Sequence, residues 1–168
     1  ECVIREIAAA CGRIAETSGL TPLIIPMQEV QDGRICESLC SLLKDCGAVM
    51  YRPGNAPELI GVLSHAEMVM GMRLHLVIFA SSAGVPVIGL SYDPKVNSML
   101  RQLGQDHCVD LAERKNQKNF TGLAEEIASH AESVMKDRSE IGEFLEAKAE
   151  EMRCLCREDF TGIRTMLN

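Results

Sequence analysis

A chain of 168 residues, 46% hydrophobic and 24% charged, has the make-up of one soluble globular domain, long enough to bury a core and cramped for two. Seventeen basic against 24 acidic residues leave a net charge of −7, which disfavours nucleic acid and anionic membrane surfaces as partners. With four Phe, two Tyr and no Trp, the core falls to Leu, Ile, Val, Ala and nine Met, and any anion site must come from a few placed residues.

Residues 1–18 put Val3, Ile4, Ile7, Ala10, Cys11, Ile14 and Ala15 on one stripe, the spacing of an amphipathic helix, with Gly19 as its stop. The chain opens on Glu1 with no signal-peptide layout, so it reads as a piece cut from something longer. Leu20 to Met27 has strand length, with Pro22 and Pro26 near its ends. Gln28 to Gly33 reads as a polar loop and Arg34 to Cys46 as a second helix. Ala48 to Tyr51 is a short strand, and Asn55 caps a helix opening at Pro57 and running to about His65. Met68 to Met72 is a strand, Leu74 to Ser82 a helix, and Val85 to Leu90 a buried strand. Asp93-Pro94 starts a helix through Leu103, Cys108 to Leu111 is a last strand, and residues 120–157 are helical with a break at Gly142.

Short apolar strands alternating with helices predict an α/β domain with a doubly wound, Rossmann-like parallel sheet covered on both faces. It is a single domain over 1–168, with a helical C-terminal tail from about 120. Ligands of such sheets bind beyond the carboxyl ends of the strands, here the loops after Met27, Met50, Met72 and Leu90. Residues 68–90 are apolar enough by length to span a membrane, but Arg73 and His75 inside the stretch favour strand, loop, helix and strand.

Eight cysteines (2, 11, 36, 40, 46, 108, 154 and 156) form no C-x2-C pair. They read as reduced, mostly buried thiols, with neither a disulfide framework nor a zinc site. There is no G-x-G-x-x-G, no phosphate-binding P-loop and no complete nucleophile elbow, and no His pair at metal-ligand spacing. No metal or cofactor is expected.

Two constellations remain. Gly71-Met72-Arg73-Leu74-His75 lies where a strand becomes a helix. Gly71 permits an unusual turn or a close backbone approach. Arg73 at the positive end of a helix is locally unfavourable unless an anion binds beside it, and His75 can exchange a proton near neutral pH. Ser91-Tyr92-Asp93-Pro94-Lys95 closes the next strand and opens the next helix. Adjacent parallel strands would bring Arg73 and Lys95 to one sheet edge, where they could clamp a ligand with two anionic groups. Asp93 can cap its helix by accepting from the Lys95 or Val96 amide. The plainer alternatives are an Arg73 paired with an acidic residue such as Glu67 or Asp93, a core His75 bonded to a carbonyl, and a solvated Lys95.

The stretch Val69 to Gly104 resembles the polysaccharide pyruvyl transferase family, including its CsaB-type members in bacterial cell-wall assembly. The likeness rests on Gly71-Met72-Arg73-Leu74-His75, Phe79-Ala80, Gly84-Val85-Pro86, Gly89-Leu90-Ser91-Tyr92-Asp93-Pro94-Lys95-Val96 and Leu103-Gly104. Ile25-Pro26-Met27-Gln28 with Asp32 extends it, so that it covers about residues 20 to 110. The resemblance implies the C-terminal half of a fold like the GT-B glycosyltransferases. It also implies transfer of a pyruvyl group from phosphoenolpyruvate to a sugar of a lipid-linked or polymeric saccharide, as a ketal. His75 would be catalytic, and Arg73, Lys95, Gly71, Ser91 and Tyr92 would bind substrate. The N-terminal half, with another donor-binding arginine and much of the acceptor site, would be a partner domain of the same protein. The enzyme would sit in the cytoplasm, at most peripheral to the inner face of the membrane. Two competing readings are a glycosyltransferase half with a sugar-nucleotide donor, in which Glu58 would bind ribose, and a non-catalytic domain binding a saccharide or anion.

Overall fold

The computed structural model describes the backbone of residues 2–166 and the side-chain environments of residues 2–157. Helix α1 (Cys2–Ser18) buries Ile7, Ala8, Ala10 and Ile14, the stripe expected from its periodicity, and ends where Gly19 takes φ 72°. Strand β1 is confined to Leu23–Ile24, because prolines at both ends of the apolar run lack the amide that a longer ladder needs.

Helix α2 (Glu29–Leu42) starts inside the stretch expected to be a loop. Glu29 and Asp32 occupy its first turn, where negative charge meets the positive helix end, and Asp32 reaches back to accept from the Gln28 amide at 3.0 Å. The helix also stops earlier than expected. A 3₁₀ turn over Lys44–Cys46 follows it, closed by Gly47 at φ 71°. Strand β2 (Val49–Met50) leads to α3 (Ala56–Leu63), whose Asn55 cap accepts from the Glu58 amide at 2.9 Å.

Strand β3 (Val69–Gly71), α4 (Leu74–Ser82), β4 (Val87–Ser91), α5 (Pro94–Gln102) and β5 (Cys108–Asp110) follow in the expected order. The apolar stretch 68–90 is thus strand, helix and strand. No helix among the described residues is long and apolar enough to cross a membrane. Helix α6 (Leu111–Gln117) was not expected. It forms because the Asp110 side chain accepts from the Glu113 amide, and it ends at Lys118 with φ 51°.

The tail is two helices, α7 (Leu123–Lys136) and α8 (Arg138–Met166), and it breaks at Asp137 rather than at Gly142. Gly142 lies within α8 and serves packing: a Cβ there would stand 3.1 Å from the Gly84 carbonyl oxygen. That close contact explains the glycine without a break in the helix.

All strand pairs are parallel, but the single expected sheet is in two parts. β1 pairs with β2, and β3, β4 and β5 form a separate sheet in that order. Ile88, Leu90 and Val109 turn to one face and pack with Ile7, Ala10 and Ile14 of α1 and with Leu123, Ile127 and Val134 of α7. Val69 and Val87 turn to the other, against Leu59 and Leu63 of α3, Val77 of α4, Leu100 of α5 and Leu145 of α8. Each such fully buried aliphatic side chain contributes about 1.5–3 kcal/mol, which makes β4, buried along its whole length, the centre of the fold. The chain is therefore an α/β protein with helices on both faces of parallel strands.

The cysteines depart from expectation. Only Cys36 is buried, whereas Cys2, Cys154 and Cys156 are exposed and the others lie between. Cys154 and Cys156 lie on α8 with their side chains exposed. No group of three or more His, Cys, Asp or Glu among the described residues could hold a metal ion.

Candidate functional site

The parallel strands deliver their loops to one edge. The register Gly71↔Gly89 sets β3 and β4 level, so Arg73 and Ser91-Tyr92 leave the sheet side by side. The expected shared edge for Arg73 and Lys95 is present in that sense. Lys95 itself is exposed in the first turn of α5, where its amide donates to Asp93 Oδ1 at 2.9 Å. The Ser91 hydroxyl, on a residue 4% exposed, donates to the Asp93 carbonyl at 2.9 Å and pins the turn into α5. Gly71 is needed for close approach and not for an unusual turn: a Cβ there would stand 3.0 Å from Leu76 Cδ2.

Arg73 is the N-cap residue of α4 and offers no side-chain cap. Its guanidinium is instead held by α2. Nη2 lies 2.5 Å from Asp32 Oδ1 and 2.9 Å from Gln31 Oε1, and Nε lies 3.3 Å from Asp32 Oδ2. This two-pronged grip fixes the plane of the group. The Asp32 hydrogen bond holds the Arg73 pKa above the ordinary guanidinium value, and the Tyr92 side chain acts in the same direction. Arg73 is thus paired with an acidic residue, as the plainer alternative has it, but the acid is Asp32, and the candidates Glu67 and Asp93 are engaged elsewhere. Glu67 meets Arg138 Nε at 2.7 Å, and Asp93 caps α5. Asp32 was visible in the sequence as part of the resemblance. Its place opposite Arg73 was not, because the two residues are 41 positions apart and meet only across the gap between the sheets.

His75 is exposed in the first turn of α4, with its ring 6.3 Å from that of Phe79, and it is not the core histidine that the plainer reading expected. The helix places it there: residues 74 to 82 bury Leu76, Val77, Ala80 and Ser81, which leaves position 75 on the opposite side.

Below Arg73 a cavity of about 960 Å³ runs down between β1 and β3. Arg73, Asp32, Gln31 and Tyr92 are among its lining residues, while most of its wall is apolar. A large apolar hollow with a few convergent polar groups is the usual form of a small-molecule site. A second polar cluster lies beyond β2. Arg52 donates to Glu29 Oε2 at 3.0 Å and stands 3.6 Å from Glu37, and the Tyr51 hydroxyl donates to Glu58 in a short bond. Glu58 also accepts from the Gly54 amide at 2.9 Å, and the two bonds hold its pKa below the ordinary carboxylate value.

No curated protein and no solved structure matches the chain. The family model of the polysaccharide pyruvyl transferases matches residues 3–94, taking in Asp32, Gly71, Arg73, His75, Ser91 and Tyr92 and stopping one residue short of Lys95. The match starts earlier than the resemblance at residue 20, and includes α1. Because that match spans more than half of the 168 residues, the chain belongs to the polysaccharide pyruvyl transferase family.

Proposed function

We propose that this domain forms part of an enzyme that moves a pyruvyl group from phosphoenolpyruvate to two hydroxyls of a saccharide, as a ketal. The observation that carries the reading is Arg73, fixed by Asp32 and Gln31 at the cavity mouth with exposed His75 two residues on. Phosphoenolpyruvate holds a phosphate and a carboxylate a few bonds apart. A guanidinium already oriented by a carboxylate meets such an anion with little rotamer entropy left to lose.

In this reading the enol methylene takes a proton as the first sugar hydroxyl attacks the adjacent carbon. Phosphate then leaves with the charge it already carries, and the second hydroxyl closes the ketal. Of the two hydroxyl protons released, one balances the methyl group and the other leaves with phosphate. Arg73 and Lys95 neutralise the donor's anions. His75 passes the proton as general acid or base. Gly71 lets the strand-to-helix turn close on Leu76, and Ser91 and Tyr92 shape the neighbouring turn. The uncapped N-terminus of α4 adds a positive partial charge on the same side, whereas that of α5 is taken up by Asp93. Glu58 is engaged by Tyr51 and Gly54, which speaks against the sugar-nucleotide alternative, in which it would have to hold a ribose.

The test is phosphate release from phosphoenolpyruvate by the intact enzyme in the presence of candidate lipid-linked saccharides. His75→Ala should lower turnover by about 10²–10⁴-fold while the variant still binds donor, the range that one general acid or base supplies. Turnover equal to that of the parent enzyme would remove His75 from this role.

A further inference from the structure

The chain has four histidines, at 65, 75, 107 and 130, and two of them meet. His107 ends the turn that follows α5 and immediately precedes β5, so it lies at the amino ends of the parallel strands, the edge away from Arg73. His130 lies on α7, in the stretch that buries Ile127, Ala128, Ala131 and Val134. Both backbones are anchored: the His107 carbonyl accepts from the Gly89 amide of β4 at 2.8 Å, and α7 is held by its buried side chains. The contact runs from Nδ1 to Nδ1 at 3.2 Å, with one ring edge-on to the other. Neither imidazole has another hydrogen bond among the described residues. The spacing also suits two nitrogens on one metal ion. Metal–nitrogen bonds of about 2.0–2.1 Å set two such atoms about 2.9 Å apart at a right angle and about 3.3 Å apart at the tetrahedral angle. The surroundings favour a cation. Asp106 precedes His107, Asp137 caps α7 two turns on from His130, and both attract positive charge on His107. In the same turn, Gln105 is 4% exposed and its side-chain oxygen has no partner among the described residues. Buried oxygens are ordinarily paired, so this turn holds an unmet polar group.

We propose that His107 and His130 form a two-histidine site for a first-row divalent metal ion of the zinc, nickel and cobalt class, bound through the two Nδ1 atoms. No third His, Cys, Asp or Glu among the described residues completes the set, so water fills the remaining positions. Imidazole favours these ions over magnesium and calcium, which take oxygen ligands. Binding to the neutral pair balances without loss of a proton. Before binding, one ring donates its Nδ1–H to the bare Nδ1 of the other. On binding, that proton moves to Nε2 of its own ring, and a small rotation of both rings turns the two Nδ1 lone pairs to the metal. The ion ties the turn ahead of β5, the outer strand of the three-stranded sheet, to the helix that packs on that sheet. Its effect is on stability, because the reaction edge is at the other ends of the strands.

The experiment records long-range ¹H–¹⁵N spectra of the imidazoles in the 168-residue chain, first in EDTA and then with Zn²⁺ in excess. Zn²⁺ should move the Nδ1 resonances of His107 and His130 together and leave those of His65 and His75 in place. The thermal midpoint should rise by roughly 5 °C or more at a hundredfold excess over the dissociation constant, and fall back on adding EDTA. Mg²⁺ should do neither. The rise should vanish in His130→Gln. It should persist when Cys2, Cys154 and Cys156, the exposed thiols, are all replaced by Ser. The spectra need no variant, so they decide the matter even where His130→Gln does not fold. Nδ1 resonances that stay in place, movement of only one of the two, or a rise in midpoint retained by His130→Gln overturns the proposal. A rise lost with the three thiols assigns the metal to cysteine and overturns it too. None of these readouts involves turnover, so this inference and the pyruvyl transfer reading fail independently.

Discussion

Arg73 is the residue on which the proposed chemistry turns, and its environment was only half legible in the sequence. Its position at the start of a helix follows from Gly71 and the apolar run behind it. Its partner does not, because Asp32 is brought to it by the start of α2 across the gap between the sheets. In the proposed reaction Asp32 would be a positioning residue. With Arg73 about one third exposed, the ion pair itself contributes at most about 1 kcal/mol to stability. Its larger effect in that reaction would be on donor geometry. Asp32→Ala should raise the KM for phosphoenolpyruvate by roughly tenfold, with a smaller effect on kcat, in steady-state phosphate release. Lys95 is different: its side chain is exposed, so its removal costs little in folding. Lys95→Ala should weaken donor binding by roughly fivefold to thirtyfold, and its thermal midpoint should stay within a degree or two of the parent's. Unchanged donor KM and kcat would remove Lys95 from the site.

At the scale of elements, the sequence places helices well wherever caps and stripes coincide. Asn55 and Asp93 each cap the helix that a following proline opens, and both accept the amide that capping requires. The start of α2 is not legible as a helix because its first turn is polar, and polarity there reflects the helix dipole rather than a loop. Strand β4 shows how tightly neighbouring elements are fitted. A Cβ on Gly89 would stand 2.3 Å from Leu100 Cδ1 and 3.3 Å from Val96 Cγ1, so α5 sits directly on the strand at that point. Gly89→Ala should therefore destabilise the domain by about 1–3 kcal/mol, read as a lower urea midpoint, because Leu100 has no free space to move into. A midpoint equal to the parent's would show that α5 lifts off the sheet without cost.

At the scale of the whole molecule, the loop leading into β5 and helix α7 are joined by a histidine pair. The Nδ1 atoms of His107 and His130 lie 3.2 Å apart, with one ring edge-on to the other. Burial is the main cause that holds the His107 pKa below its ordinary value of 6.5, and the His130 charge adds to it, against the opposing pull of Asp106 and Asp137. A base whose pKa is lowered on folding is held neutral in the folded state while the unfolded chain takes up its proton. Stability is therefore complete above about pH 6.5 and declines as pH falls from there through the lowered value. Urea midpoints measured at pH 7.5 and 5.5 should show this decline, and His107→Gln should reduce it. An identical pH dependence in that variant would place the titrating group elsewhere.

The sequence by itself determined the class of fold, the order of strands and helices as far as β5, and the positions of Gly71, Arg73, His75, Ser91, Tyr92 and Lys95 at the carboxyl edge. Those features depend on periodicity, caps and turn residues, which act over a few neighbours in the chain. Only the tertiary structure decided that Asp32 and Gln31 hold Arg73, that His75 faces solvent, and that the strands fall into two sheets with a cavity between them. These depend on residues far apart in the chain, whose meeting composition and spacing do not record.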